Sequence, residues 1–368
     1  MNKVRLGIIG VGGMGGNHAR NVIQEKISGV ELTAVADIAP DLAKKFPDQK
    51  GFAAGEDLIK SGTVDAILIA TPHYSHTPLG IAGLQNGLHV LVEKPISVHK
   101  ADCERLIAAR GDKKLVFAAM FNQRTDPAFK KLKHLITSGE LGEIRRINWI
   151  VTNWFRSQAY YGSGGWRATW AGEGGGVLLN QCPHNLDLWQ WLFGMPKSIR
   201  AFCSFGKYHS IEVEDDVTAY LEYANGATGV LITSTGEAPG TNRLEVTGER
   251  GKVVLENGHL HFTRNEIPMS EFSRTTKEAF SAPPTWDVNI PTQGSGGQHN
   301  EIIQNFIDAI QKGTPLIAPA EEGIHSVELA NTMLLSSDTK ETIELPLNSA
   351  TYEAWLKKKA ESSPKKSK

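Results

Sequence analysis

The sequence predicts an α/β fold, with a doubly wound parallel sheet in its amino-terminal half and a second region of alternating strands closed by helices. Three observations carry this. An apolar run at residues 4–9 leads directly into Gly10-Val11-Gly12-Gly13-Met14-Gly15. Short apolar segments then alternate with helical stretches as far as residue 118. Beyond a helix at residues 127–138, strand-like segments succeed one another before two closing helices.

Residues 4–9 read as a buried strand and the stretch through about residue 27 as the following helix. Within the turn between them, Gly10 allows the tight bend, Gly12 lets the backbone approach a pyrophosphate, and Gly15 admits close packing of helix on strand; Gly13 and Met14 complete the loop. A second strand at residues 31–36 ends in Asp37, 22 residues after Gly15. A carboxylate there accepts bonds from the ribose hydroxyls and repels a 2′-phosphate, and no Arg or Lys follows before Lys44, so the expected cofactor is NAD and not NADP. The pattern continues with strands at 66–70, 89–92 and 115–118 and helices at 77–86 and 101–109. Ligands of such sheets bind beyond the carboxyl ends of the strands. The residues placed there are Ala70-Thr71-Pro72-His73 with His76, then Glu93-Lys94-Pro95, then Asn122-Gln123-Arg124. Lys94 is positioned to hold a substrate oxygen, or else forms a surface pair with Glu93. His73 and His76 either face the ligand or cover a strand end.

The length, 368 residues, allows two or three domains, and 40% apolar with 21% charged residues is an ordinary globular composition. After Leu356 come six lysines and one glutamate, so the remainder is acidic and unsuited to gripping nucleic acid. The tail, residues 357–368, is expected to be disordered. Cys103, Cys182 and Cys203 are odd in number and lack CxxC spacing, which argues against a disulfide framework and a zinc site and for a reducing, cytoplasmic compartment. The first apolar run is too short for a signal core, and no stretch approaches a membrane span.

The second half concentrates glycine and tryptophan. Seven glycines lie between residues 162 and 176, and six of the eight tryptophans (Trp149, Trp154, Trp166, Trp170, Trp189, Trp191) lie within residues 149–191. Residues 178–192 read as a helix entered through the glycines. Asn180 and His184, four apart, then lie about 40° apart on one face and both reach one ligand. Asp187 and Trp191 extend the stripe, which reads equally as a buried seam. Trp166-Arg167 and Thr169-Trp170 form a glycine-hinged loop whose indoles suit the apolar faces of sugar rings. Trp189 and Trp191 read as helix packing. Trp154, Tyr160, Tyr161 and Arg156 are further substrate candidates.

Taken together, the glycine turn, Asp37, Ala70-Thr71-Pro72 with His76, Glu93-Lys94-Pro95, and Gly174-Gly175-Gly176 leading to Asn180 and His184 resemble the family of glucose–fructose oxidoreductase and inositol dehydrogenase, Gfo/Idh/MocA. The resemblance implies a Rossmann domain over residues 1–123 and an α+β domain over 124–356 whose open-faced mixed sheet serves homodimer or homotetramer contacts. It implies an NAD-dependent oxidoreductase acting on a secondary hydroxyl or ketone of a sugar, glycoside or cyclitol. His184 is then the acid/base, Lys94 the charge that stabilises the alkoxide, and Asn122, Gln123 and Glu93 neighbours of the cofactor. Arg124, Trp154, Tyr160, Trp166, Arg167 and Trp170 surround the substrate. Many relatives carry aspartate where this chain has Asn180, which leaves open a glycosidase or lyase using transient oxidation. A nucleotide-binding regulator without catalysis would lack Lys94 or His184, and both are present.

Overall fold

The structure, a computed structural model, describes residues 2–111 and 114–363. Its first sheet contains β1 (Val4–Ile9), β2 (Val30–Ala36), β3 (Lys50–Phe52), β4 (Ala66–Ile69), β5 (His89–Val92) and β6 (Phe117–Ala119). All pair in parallel, in the order β3-β2-β1-β4-β5-β6. Strands covered on both faces must be apolar throughout, and β4, with every residue buried, shows it. The intervening helices are α1 (Gly13–Ile23), α2 (Pro40–Ala43), α3 (Gly55–Lys60), α4 (His76–Gln85) and α5 (Lys100–Arg110). Because strand order reverses at β1 and β4, a crevice opens beyond the carboxyl ends of those two strands.

The crossing to the second lobe is fixed by α6 (Pro127–Thr137), capped by Asp126, whose carboxylate accepts the Ala128 amide at 2.8 Å, and started by Pro127. The second sheet takes β7 (Ile144–Val151), β8 (Ser198–Phe205), β9 (Glu214–Glu222), β10 (Thr228–Ser234), β11 (Asn242–Gly248), β12 (Gly251–Glu256), β13 (His259–Asn265), β14 (Thr285–Ile290) and β15 (Ile343–Glu344). The order is β14-β13-β12-β11-β7-β10-β9-β8-β15, antiparallel except between β7 and β10. In β9, Val217, Ala219 and Leu221 are buried while Thr218, Tyr220 and Glu222 are exposed, the alternation of a sheet with one solvated face. Between β7 and β8 come α7 (Gln158–Gly162) and α8 (Pro183–Phe193), and α9 (Met269–Thr275) precedes β14. The chain closes with α10 (Gln298–Lys312), α11 (Gly323–Thr339) and α12 (Ser349–Glu361). Trp189 of α8 stacks on Trp149 of β7, ring centres 6.3 Å apart, in the second core.

Four expectations need amendment. The helix foreseen at 178–192 begins only at Pro183, and residues 177–182 form turns. The division at 123/124 is not a single cut, since Ile302, Ile303, Phe306 and Ile307 of α10 pack into the first core. The tail foreseen as disordered from residue 357 is helical through Glu361, with Lys359 paired to Asp338 at 2.8 Å; residues 364–368 lie outside the described residues. Strands β13 and β14 were not foreseen; β14 lies at the sheet edge with four of its six residues exposed, so it shows no apolar alternation.

Candidate active site

The cofactor side is set by glycine geometry. Gly10, at φ +85°, closes the turn after β1, and a Cβ there would lie 2.7 Å from the Ala70 carbonyl oxygen. At Gly15 a Cβ would fall 1.8 Å from the Gly10 carbonyl oxygen, so α1 and β1 meet only with hydrogen at that position. Gly12 and Gly13, by contrast, have nothing within 4 Å of an added Cβ, which leaves the bare backbone at the start of α1 open for a pyrophosphate. Asp37 Oδ2 accepts the Val11 amide at 2.8 Å and Oδ1 the Ala39 amide at 2.9 Å, tying the carboxylate to the glycine loop. One cavity of about 680 Å³ runs from Asp37 past Gly10, Gly12, Gly13, Met14, Ala70, Thr71, Pro72, His73 and His76 to Glu93, Lys94, Trp166, Arg167 and Asn180. These residues fit NAD.

At the far end of that cavity, Lys94 leaves β5 and donates to the Asn180 carbonyl oxygen at 2.8 Å. Burial lowers its pKa, opposed by Glu93 and Glu173. Burial alone would raise the pKa of Glu93, but the bond from His18 Nε2 to its Oε1 at 2.8 Å and the charges of His18 and Lys94 bring it down to about 2. His184, in the first turn of α8, packs edge-on against Phe121 and has no partner for its buried Nδ1 among the described residues. Burial, and then the Lys94 charge, push its pKa down to about 3 against the pull of Glu93, so the imidazole is neutral at physiological pH.

Asn180 reaches this site from a turn before α8, not from a helix face; its amide donates to the Gly176 carbonyl at 3.0 Å. Its side chain is held from both ends. Nδ2 donates to Glu173 Oε1, and Oδ1 accepts from the Tyr160 hydroxyl at 3.4 Å. Glu173 was absent from the sequence-based set, although it directly precedes the three glycines. It is buried, also accepts the Ala168 amide at 2.6 Å, and burial raises its pKa to about 7 despite those bonds. Glu214 is a second such carboxylate, holding the glycine loop through the Gly176 and Leu178 amides, with burial raising it to about 7.

The remaining candidates divide. Tyr160 is a hub, accepting from Arg167 at 2.8 Å and Gln181 at 3.2 Å. His73 meets the Glu173 carbonyl at 3.3 Å and the edge of Trp166, joining the first lobe to the aromatic loop. Both His76 nitrogens face carbonyl oxygens, of Pro95 at 2.8 Å and Thr71 at 2.9 Å, bracing two strand ends. Trp154 is half-buried and donates to Asn185 at 3.3 Å. Arg124 does not face a substrate: it is buried and paired to Asp187 at 2.6 Å and Glu322 at 2.6 Å. Trp170 is buried against Phe205 and Trp355. Asn122 is buried and bonds Gln298 at 2.6 Å, and neither it nor Gln123 lines the cavity. Among the described residues, no helix is long and apolar enough to cross a membrane, and no group of three or more His, Cys, Asp or Glu is arranged to hold a metal.

Comparison with known proteins finds matches in both halves of the chain. Residues 4–121 match the family described as an oxidoreductase family with an NAD-binding Rossmann fold, and residues 129–254 match the GFO/IDH/MocA C-terminal domain. The chain is 28% identical to myo-inositol 2-dehydrogenase of Thermotoga maritima over 354 residues, covering 93% of this chain and 98% of the relative. It is 24% identical to levoglucosan dehydrogenase of Pseudarthrobacter phenanthrenivorans, covering 95% and 100%. The crystal structure of the WlbA dehydrogenase from Chromobacterium violaceum, in complex with NADH and UDP-GlcNAcA, superposes with a TM-score of 0.81 at 26% identity over 95% of this chain and 97% of that one.

Proposed function

Because the chain belongs to the GFO/IDH/MocA family of NAD-binding oxidoreductases, we propose that it transfers a hydride between NAD and a secondary hydroxyl or ketone of a sugar or cyclitol. One juxtaposition carries the reading: Lys94, projected from the end of β5, reaches across the cleft to the turn holding Asn180, beside the neutral His184, whose Nδ1 has no partner among the described residues. The nicotinamide supplies the hydride chemistry when bound. The chain supplies the rest. His184 accepts the hydroxyl proton during oxidation and returns it during reduction. The Lys94 ammonium stabilises charge developing on the substrate oxygen. Glu173 acts one step back, fixing Asn180 and through it the backbone carbonyl to which Lys94 donates.

The outer face of the second sheet, with Phe202 and Tyr220 exposed, serves contacts with another copy in this reading, and three free thiols fit a reducing, cytoplasmic setting. The test is turnover. Purified protein with NAD and a panel of cyclitols and sugars is expected to change the nicotinamide absorbance, and Lys94→Ala with His184→Ala to lower kcat/KM by on the order of 10³ or more. Turnover retained in the double variant removes both residues from the chemistry.

A further inference from the structure

Arg167 lines the Lys94 end of the cavity and Arg156, outside that lining, packs on Tyr160 next to it, so this region holds more positive charge than a neutral polyol needs. Arg156 and Arg167 lie against one phenol ring, their guanidinium carbons 5.1 Å and 4.8 Å from the centre of Tyr160. Arg167 donates to the Tyr160 hydroxyl at 2.8 Å, and that hydroxyl meets the side chain of Asn180, whose carbonyl takes Lys94. Both guanidinium charges act on the Lys94 ammonium and disfavour its protonated form. Three cations therefore gather around Tyr160 and Asn180.

The nearby carboxylates leave Arg156 uncompensated. Glu93, bonded to His18, balances Lys94. Glu173 is buried behind Asn180 and offsets at most one arginine. Among the described residues Arg156 has no ion pair; only its Nη1 finds acceptors there, the carbonyl oxygens of Trp154 at 3.5 Å and Phe155 at 2.9 Å, while Nε and Nη2 find none. Packing over Trp154 and Tyr160 holds the plane of a guanidinium without using that edge. A planar fork with a vacant edge, beside a second fork, is the arrangement that receives a carboxylate or phosphate.

We propose that the substrate carries an anionic group, a carboxylate or a phosphate ester, received by Arg156 and Arg167 while its hydroxyl lies at Lys94 and His184. This rests on the sugar-dehydrogenase reading and names the substrate class within it. Trp166, stacked under Arg167 at 4.6 Å, gives the ring a flat wall between the two ends.

Calorimetric titration of the NADH-loaded protein with myo-inositol, glucuronate and glucose 6-phosphate tests this, with turnover measured separately. One of the two anions is expected to bind at least about tenfold tighter than myo-inositol, with affinity falling as salt rises. Whichever anion wins decides between carboxylate and phosphate. Arg156→Gln is expected to erase the preference and Arg156→Lys to keep most of it; Arg167→Gln repeats the test from the other side of Tyr160. Equal affinity for neutral and charged ligands, failure to bind either anion, or variants that weaken all three ligands equally would overturn the proposal. Charge-selective binding without nicotinamide reduction by any sugar upholds the anion site and sinks the dehydrogenase reading instead.

Discussion

At the scale of single residues, the site is governed by which groups burial forces to be neutral. His184 has its pKa depressed from the usual 6.5 to about 3. The unfolded chain therefore binds the proton more readily. Stability from this group is complete above about pH 6.5 and is lost as pH falls toward 3. Glu173 and Glu214 run the other way, raised to about 7, so the folded state binds their protons more tightly and stability falls as pH rises from about 4.5 through 7. Melting curves are expected to be highest between those limits, and Glu173→Gln to flatten the decline on the alkaline side. In kinetics, kcat/KM is expected to lack a histidine limb near pH 6.5 and to change across about pH 7 with Glu173, a step absent in Glu173→Gln; an unaltered profile in that variant removes Glu173 from the positioning of Asn180. The positions of Lys94 and Asp37 were legible in the sequence because each follows a strand in a short local pattern, whereas His184 was singled out through the family resemblance and opens a helix that starts later than expected. Glu173 was not. Its character comes from burial and from Asn180 and Ala168, and nothing next to it in the chain announces that.

At the scale of elements, the two glycine-rich turns are answers to different steric problems. Gly15 lets α1 cross β1, whereas Gly176 lets the turn before α8 pass β9: a Cβ there would lie 2.0 Å from the Glu214 carbonyl oxygen. Gly176→Ala is expected to cost roughly 1–3 kcal/mol or more and to lower kcat together with the melting temperature, because the displaced turn carries Asn180. The loop of residues 163–175 divides by the same logic. Trp166 was legible as a cleft residue, and Trp170 was misread because Phe205 and Trp355, the rings that bury it, come 35 and 185 positions later. Arg124 was misread likewise, since Asp187 and Glu322, which claim it, stand far along the chain. Removing that arginine strands a buried carboxylate. Arg124→Met is expected to cost roughly 3–5 kcal/mol by denaturant unfolding, and adding Asp187→Leu to recover much of the loss. No recovery in the double variant means that the pair is held by packing and not by charge.

For the whole molecule, the sequence conveyed two lobes and an interlobe cleft, and what it concealed was the route of the chain between them. Local periodicity reports which face of a segment is apolar; it does not report which lobe receives that face. Helix α10 follows the last long strand of the second sheet and yet packs with Ile302, Ile303, Phe306 and Ile307 into the first core, after which α11 returns to lie against α8 and β8. The backbone thus passes between lobes near residue 120, again before Gln298 and again after Ala320. A protease that cuts within the exposed stretch around Phe280 is expected to leave a nicked particle that still elutes from a sizing column at the mass of the uncut protein and separates into two fragments only in denaturant. Neither piece is then a free-standing module: a gene truncated after residue 123 encodes a sheet whose covering helix has been left behind.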